Sequence, residues 1–168
     1  IGPTFENNFI VHTKKGDAKQ DQHGLLRELN YSLVSAHKDS ANFIKKYEKE
    51  TKIKNSKFPS KSSEENIFWP FDFSFEKKFK LESDILKIKF IINSEVGMPF
   101  MLGYHPAFLL SNSGKESLET KKQCISLEDV YNAGSKAFPV LNSNKITLKN
   151  INKKDLEIST KGFENFML

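Results

Sequence analysis

Cysteine is nearly absent: Cys124 is the only one in 168 residues. That excludes an internal disulfide and a zinc site built on thiolates. A reducing compartment, the cytoplasm, is the simplest setting, although an isolated buried thiol would give the same pattern. Arginine is equally scarce, with Arg27 alone among the 26 basic side chains. The net charge of +5 and the sequence pI of about 9.1 invite a polyanionic partner. Recognition of bases and phosphates favours the planar guanidinium fork, however, and here the lysines are spread along the chain. Nucleic-acid binding is therefore not expected. Apolar residues make up 38% of the chain, and no run approaches the ~18 needed to span a membrane. The first residues, Ile1-Gly2-Pro3-Thr4, lack an initiator methionine, a charged n-region and an apolar h-region. They show no signal peptide and read as the start of an excised segment.

What the chain does hold is phenylalanine, 15 in all. Each aromatic removes ~150–250 Å² from water on burial, so a core is within reach despite the low apolar content. The length suits one domain over residues 1–168, or a piece of one. Phe71, Phe73, Phe75, Phe79 and Leu81 share one parity, broken only by Lys77. After a turn at Glu82-Ser83-Asp84, Leu86, Ile88, Phe90 and Ile92 answer with the opposite parity. This predicts an antiparallel hairpin with one apolar face. Shorter strand candidates are Phe9-Ile10-Val11 before a turn signal at Lys14-Lys15-Gly16-Asp17, then residues 29–33, 42–44, 145–148 and 156–159. Residues 45–57 are nearly a charge run, either an edge strand or a solvated face. Residues 60–63 and 111–114 read as loops. Regularly spaced short strands without an amphipathic helix pattern predict an all-β antiparallel sandwich.

The stretch Met98-Pro99-Phe100-Met101-Leu102-Gly103-Tyr104-His105-Pro106-Ala107-Phe108 carries the chemistry. Phe100, Leu102 and Tyr104 alternate with Met101 and Gly103, the period of a strand with one buried face. Pro106 forces His105 into extended backbone where that strand is expected to end, and strand ends are where sites are built. The residues alone leave two readings open: a reactive imidazole, or a buried histidine satisfied by a carbonyl.

Gly103-Tyr104-His105-Pro106-Ala107-Phe108 resembles the G-x-H-P-x-F stretch of the aldose 1-epimerase (galactose mutarotase) family. Gln22-His23-Gly24-Leu25-Leu26-Arg27 resembles the H-G-x-x-R segment of the branch that includes hexose-6-phosphate mutarotases. Trp69-Pro70-Phe71-Asp72-Phe73 resembles the family's Y-P-F-x-F strand opening, and residues 162–168 fit, less distinctly, the strand ahead of its catalytic glutamate. The resemblance implies a large antiparallel β-sandwich of the galactose mutarotase-like type, of which this chain is an incomplete piece.

The implied reaction opens a cyclic hemiacetal and recloses it on the other face of C1. A base takes the C1 hydroxyl proton while an acid protonates the ring oxygen, and histidine titrates close to neutral pH. Each positioned proton transfer contributes about 10²–10⁴-fold. No cofactor and no metal are required. By resemblance, His105 is the general acid and His23 the second catalytic histidine, hydrogen-bonded to the sugar beside the reacting centre. The bland alternative for His23 is a surface-loop imidazole. Arg27 is either a bidentate grip on sugar hydroxyls or phosphate, or an ion-pair partner of Glu28 or another surface carboxylate. Trp69 is a sugar-stacking candidate with a core position as the plainer reading, and Asp72 faces solvent. His12 and His37 lie outside every motif.

Two departures from the family pattern stand out. The family's general base is a glutamate on a strand beyond the equivalent of Leu168, and no glutamate here occupies a matching position. Many members also carry an arginine ahead of the first histidine motif, where this chain reads Ile1-Gly2-Pro3-Thr4-Phe5-Glu6. The resemblance implies a sugar or sugar phosphate as partner. A non-catalytic carbohydrate-binding β-sandwich module and a purely structural β-domain are the competing readings.

Overall fold

The computed structural model describes residues 9–21, 23–111, 114–151 and 154–168. The expected lead-in over residues 1–8, Gln22 and the middle of the 111–114 loop fall outside the described residues. Strand accounts for 45% of the structure and helix for 8%, and every ladder among the described residues is antiparallel. The fold is all-β and antiparallel, as expected. The chain divides into two compact units, Ile1–Tyr104 and His105–Leu168.

The first unit contains β1 (Ile10–Thr13), β2 (Gly16–Lys19), β3 (Ser32–His37), β4 (Ser40–Tyr47), β5 (Ile53–Lys54), β6 (Asn66–Ile67), β7 (Phe73–Glu82) and β8 (Ile85–Ser94). β1 pairs with β2 and β5 with β6, while the main sheet runs in the order β3-β4-β7-β8. The β7–β8 hairpin forms in the register the phenylalanine parity predicts: Phe75 faces Ile92, Phe79 faces Ile88 and Leu81 faces Leu86. Ser83 takes a positive φ of 54° in the two-residue connection, the conformation that lets tight hairpin turns match strand twist. Directly opposed residues of an antiparallel pair share a face. Phe43, Lys77 and Phe90 therefore form one cross-strand row, and Lys45, Phe75 and Ile92 the next.

Tyr47, Ile67, Trp69 and Phe71 build the core of this unit with Ala18 and Leu25. Trp69 thus takes the core position, 8% exposed. Tyr47 holds the bend that feeds β7. Its buried hydroxyl donates to the Thr51 carbonyl at 2.6 Å and accepts from the Trp69 N–H at 2.8 Å. Its ring stacks on Phe73 at 5.4 Å.

Three expectations need correction. Residues 98–111 form no strand. Pro99 and Pro106 cannot donate to a ladder, Gly97 turns the chain with φ 90°, and Phe100 and Met101 are 69% and 66% exposed rather than alternately buried. The charge run does not start at Lys45, which lies on β4 between β3 and β7 and is 7% exposed. The strand expected at residues 29–33 begins only at Ser32, with Leu29 packed on the core instead.

The second unit contains β9 (Ser117–Glu119), β10 (Cys124–Ser126), α1 (Leu127–Ala133), β11 (Pro139–Val140), β12 (Lys145–Ile151), β13 (Lys154–Ser159) and β14 (Phe166–Met167). Its sheet runs β10-β9-β12-β13, and β11 pairs with β14. Leu118, Ile125, Val140, Ile146 and Leu148 form a core of their own. The short helix was not anticipated. It is started by a capping box in which the Ser126 side chain accepts from the Asp129 N–H while Asp129 accepts from Ser126, the reciprocal arrangement that marks a helix N-terminus.

Replacing Tyr47 by Phe leaves the buried Trp69 N–H without an acceptor. We expect a loss of about 1–3 kcal/mol, seen as a lower urea midpoint at unchanged slope; an unchanged midpoint contradicts the assigned role.

Candidate functional site

The His-Gly segment leaves β2 through a buried polar turn. Gln20 and Asp21 are 5% and 4% exposed. The Gln20 amide donates to the Phe68 carbonyl. The Asp21 carboxylate accepts from Asn55 Nδ2 at 3.0 Å and from Lys57 Nζ at 2.8 Å. Asn55, itself fully buried, also donates to the Glu64 carbonyl at 3.0 Å. A charged group at that depth persists only when paired and hydrogen-bonded, so this network fixes the turn. The Gly24 N–H then closes onto the Asp21 carbonyl at 2.8 Å. Gly24 adopts φ 61° and ψ −172°, a region essentially reserved for glycine. Space is not the constraint, since an added Cβ would find its nearest neighbour, Gln20 Oε1, at 3.9 Å. A single 3₁₀ turn, Leu25–Arg27, follows and drives Leu25 into the core.

This geometry leaves His23 half-buried and Arg27 exposed on one short segment. The His23 imidazole is held below its ordinary pKa, first by burial and then by the positive charges of Arg27 and Lys57, against an opposing pull from Asp21. At neutral pH the neutral ring is favoured, and one of its nitrogens is free in chemistry to accept a hydroxyl proton or hydrogen bond. Glu28 accepts from Ser56 Oγ at 2.9 Å, and among the described residues Arg27 forms no ion pair with it.

His105 opens the second unit and its side chain is exposed, which sets aside the reading of a buried structural histidine. No ladder holds it. Its backbone is restrained by Pro106 and by the preceding residue, because the Tyr104 ring lies 5.1 Å from that of Phe90. The structure thus brings His23 and Arg27 together on one segment. His12, on the exposed β1–β2 hairpin, pairs with Asp17 at 2.8 Å, and His37 is exposed on β3. Among the described residues no group of His, Cys, Asp and Glu is placed to hold a metal ion. Asp72 is exposed, as expected, and accepts from the Lys49 N–H at 2.7 Å.

Sequence reasoning missed the support beneath His23. Asp21 adjoins the motif, but Asn55 and Lys57 lie in the undecided charged region, and no local pattern marks them as its partners.

The sequence model of the aldose 1-epimerase family matches residues 4–162, across both units and all three motifs. The chain belongs to the aldose 1-epimerase family. Comparison with curated proteins and with solved structures gives no match. The aldose 1-epimerases are isomerases that act on sugars.

In an NMR titration, the His23 resonance should have its midpoint below the ordinary value of 6.5. Lys57→Ala removes a repelling cation and frees the Asp21 carboxylate, so the midpoint should move up. A wild-type midpoint at or above 6.5 that ignores Lys57→Ala contradicts this electrostatic picture.

Proposed function

We propose that this aldose 1-epimerase family member is a mutarotase that interconverts the α and β anomers of a hexose or hexose phosphate. One observation carries the reading: His23, half-buried and biased toward its neutral form, sits on a segment clamped by Asp21, Asn55 and Lys57 within the family-matched region. His105 serves as general acid and delivers its proton to the ring oxygen as the C1–O5 bond opens. His23 accepts a hydrogen bond from the sugar beside C1 and steadies the developing charge. Arg27 donates to sugar hydroxyls or phosphate through its guanidinium fork. The general base is assigned to no residue of this chain.

Reclosure on the opposite face of C1 reverses these proton movements. The net reaction consumes nothing and calls for no cofactor. The family match runs through the boundary between the two units, which supports reading residues 1–168 as one mutarotase-like domain. The exposed, unpaired Cys124 suits the reducing cytoplasm.

The test is NMR exchange or optical rotation on freshly dissolved α-sugar. His105→Ala should lower the catalysed rate by about 10²–10⁴-fold. Full rate in that variant removes His105 from the mechanism, and saturable sugar binding without acceleration by the wild type points instead to a carbohydrate-binding module.

A further inference from the structure

Two lysines stand on the aromatic face of the main sheet of the first unit, and the proposed chemistry uses neither. Lys45 pairs with Phe75 across β4 and β7, and Lys77 pairs with Phe43. The two lysines are therefore diagonal neighbours on one face, a placement that puts side chains about 7–8 Å apart. Lys45 Nζ donates to the Leu26 carbonyl at 2.8 Å and lies 4.3 Å from the centre of the Tyr31 ring. Lys77 Nζ lies 4.7 Å from the Tyr104 ring, 5.0 Å from Phe79 and 5.9 Å from Phe90. Among the described residues neither ammonium has a carboxylate within ion-pair distance. Glu28 attracts Lys45 from further off but hydrogen-bonds Ser56.

Like charges on neighbouring positions of one sheet face repel. Burial already disfavours the charge of Lys45, and Lys77 disfavours it further. Ring faces attract cations but carry no net charge to neutralise two of them. The arrangement has aromatic surface, which suits the C–H face of a sugar, and two ammoniums lacking a counter-ion. It also adjoins both motif segments: Leu26 belongs to the His-Gly turn, and Tyr104 is bonded to His105.

We propose that Lys45 and Lys77 form an anion-binding subsite that selects sugars bearing a negatively charged substituent. The subsite rests on the mutarotase reading for its sugar but is tested separately from it. A phosphate monoester, with close to two negative charges at neutral pH, matches the pair better than a single carboxylate.

The experiment is calorimetric titration of the protein with a neutral aldohexose, its 6-phosphate, the corresponding hexuronate and inorganic phosphate, with mutarotation measured in parallel. The 6-phosphate should bind at least about tenfold more tightly than the neutral sugar, a preference eroded by salt. Lys77→Gln should collapse that ratio toward one, and Lys77→Arg, which keeps the charge, should retain it. A stronger gain for the hexuronate than for the 6-phosphate makes carboxylate the natural anion. A ratio near one in the wild type, or one that survives Lys77→Gln and Lys45→Met in folded protein, overturns the subsite. Charge-selective binding without accelerated mutarotation leaves the subsite standing and fails the mutarotase reading; acceleration without charge selection does the reverse.

Discussion

An ionised carboxylate as deeply buried as Asp21 is tolerated only when its charge is met, and the candidate site follows from how that is done. Lys57 supplies the charge and Asn55 a further donor. Both come from the segment around β5, whereas Asp21 closes β2. The pairing therefore ties two segments that share no strand ladder. Directly after Asp21 the chain turns sharply, with the Gly24 N–H closing onto the Asp21 carbonyl, and His23 lies on that turn. Removing one partner of such a pair strands a buried charge, which costs more than the pair itself contributes. The network is thus better viewed as fixing the position of His23 than as adding stability.

Charge around this segment is lopsided. Lys57 and Arg27 bear on His23, and Lys45 and Lys77 stand together on the aromatic sheet face. Burial, and then the cations Arg27 and Lys57, favour the neutral form of His23. The cations also suit a substrate that brings negative charge of its own. The same lysines that raise the overall charge of the chain are therefore partly drawn into its interior, Lys45 most of all.

Much of the fold was legible. The phenylalanine parity from Phe73 to Leu81, answered by Leu86 to Ile92, predicted the register of β7 and β8, because one apolar face fixes pairing. Lys77, the single breach, is accommodated by rings that face its ammonium. The stretch ending at His105 misled because alternation alone cannot show that a partner strand is present, and its two prolines carried the contrary signal. Lys45 falls in a run that its charges present as an edge strand or a solvated face, since nothing local reveals a strand inserted between two others. The histidine motifs were visible as short patterns. Their support was not, since Asp21, Asn55 and Lys57 meet only through tertiary contact.

The proposed mutarotase chemistry requires His23 and His105 to act on the same sugar. The most direct measurement follows the imidazole Cε1–H resonances of all four histidines while an aldohexose or its 6-phosphate is titrated in. His23 and His105 should shift together along curves giving a single dissociation constant, with His12 and His37 unmoved. Shifts at only one of the pair, or two curves with distinct dissociation constants, would contradict it.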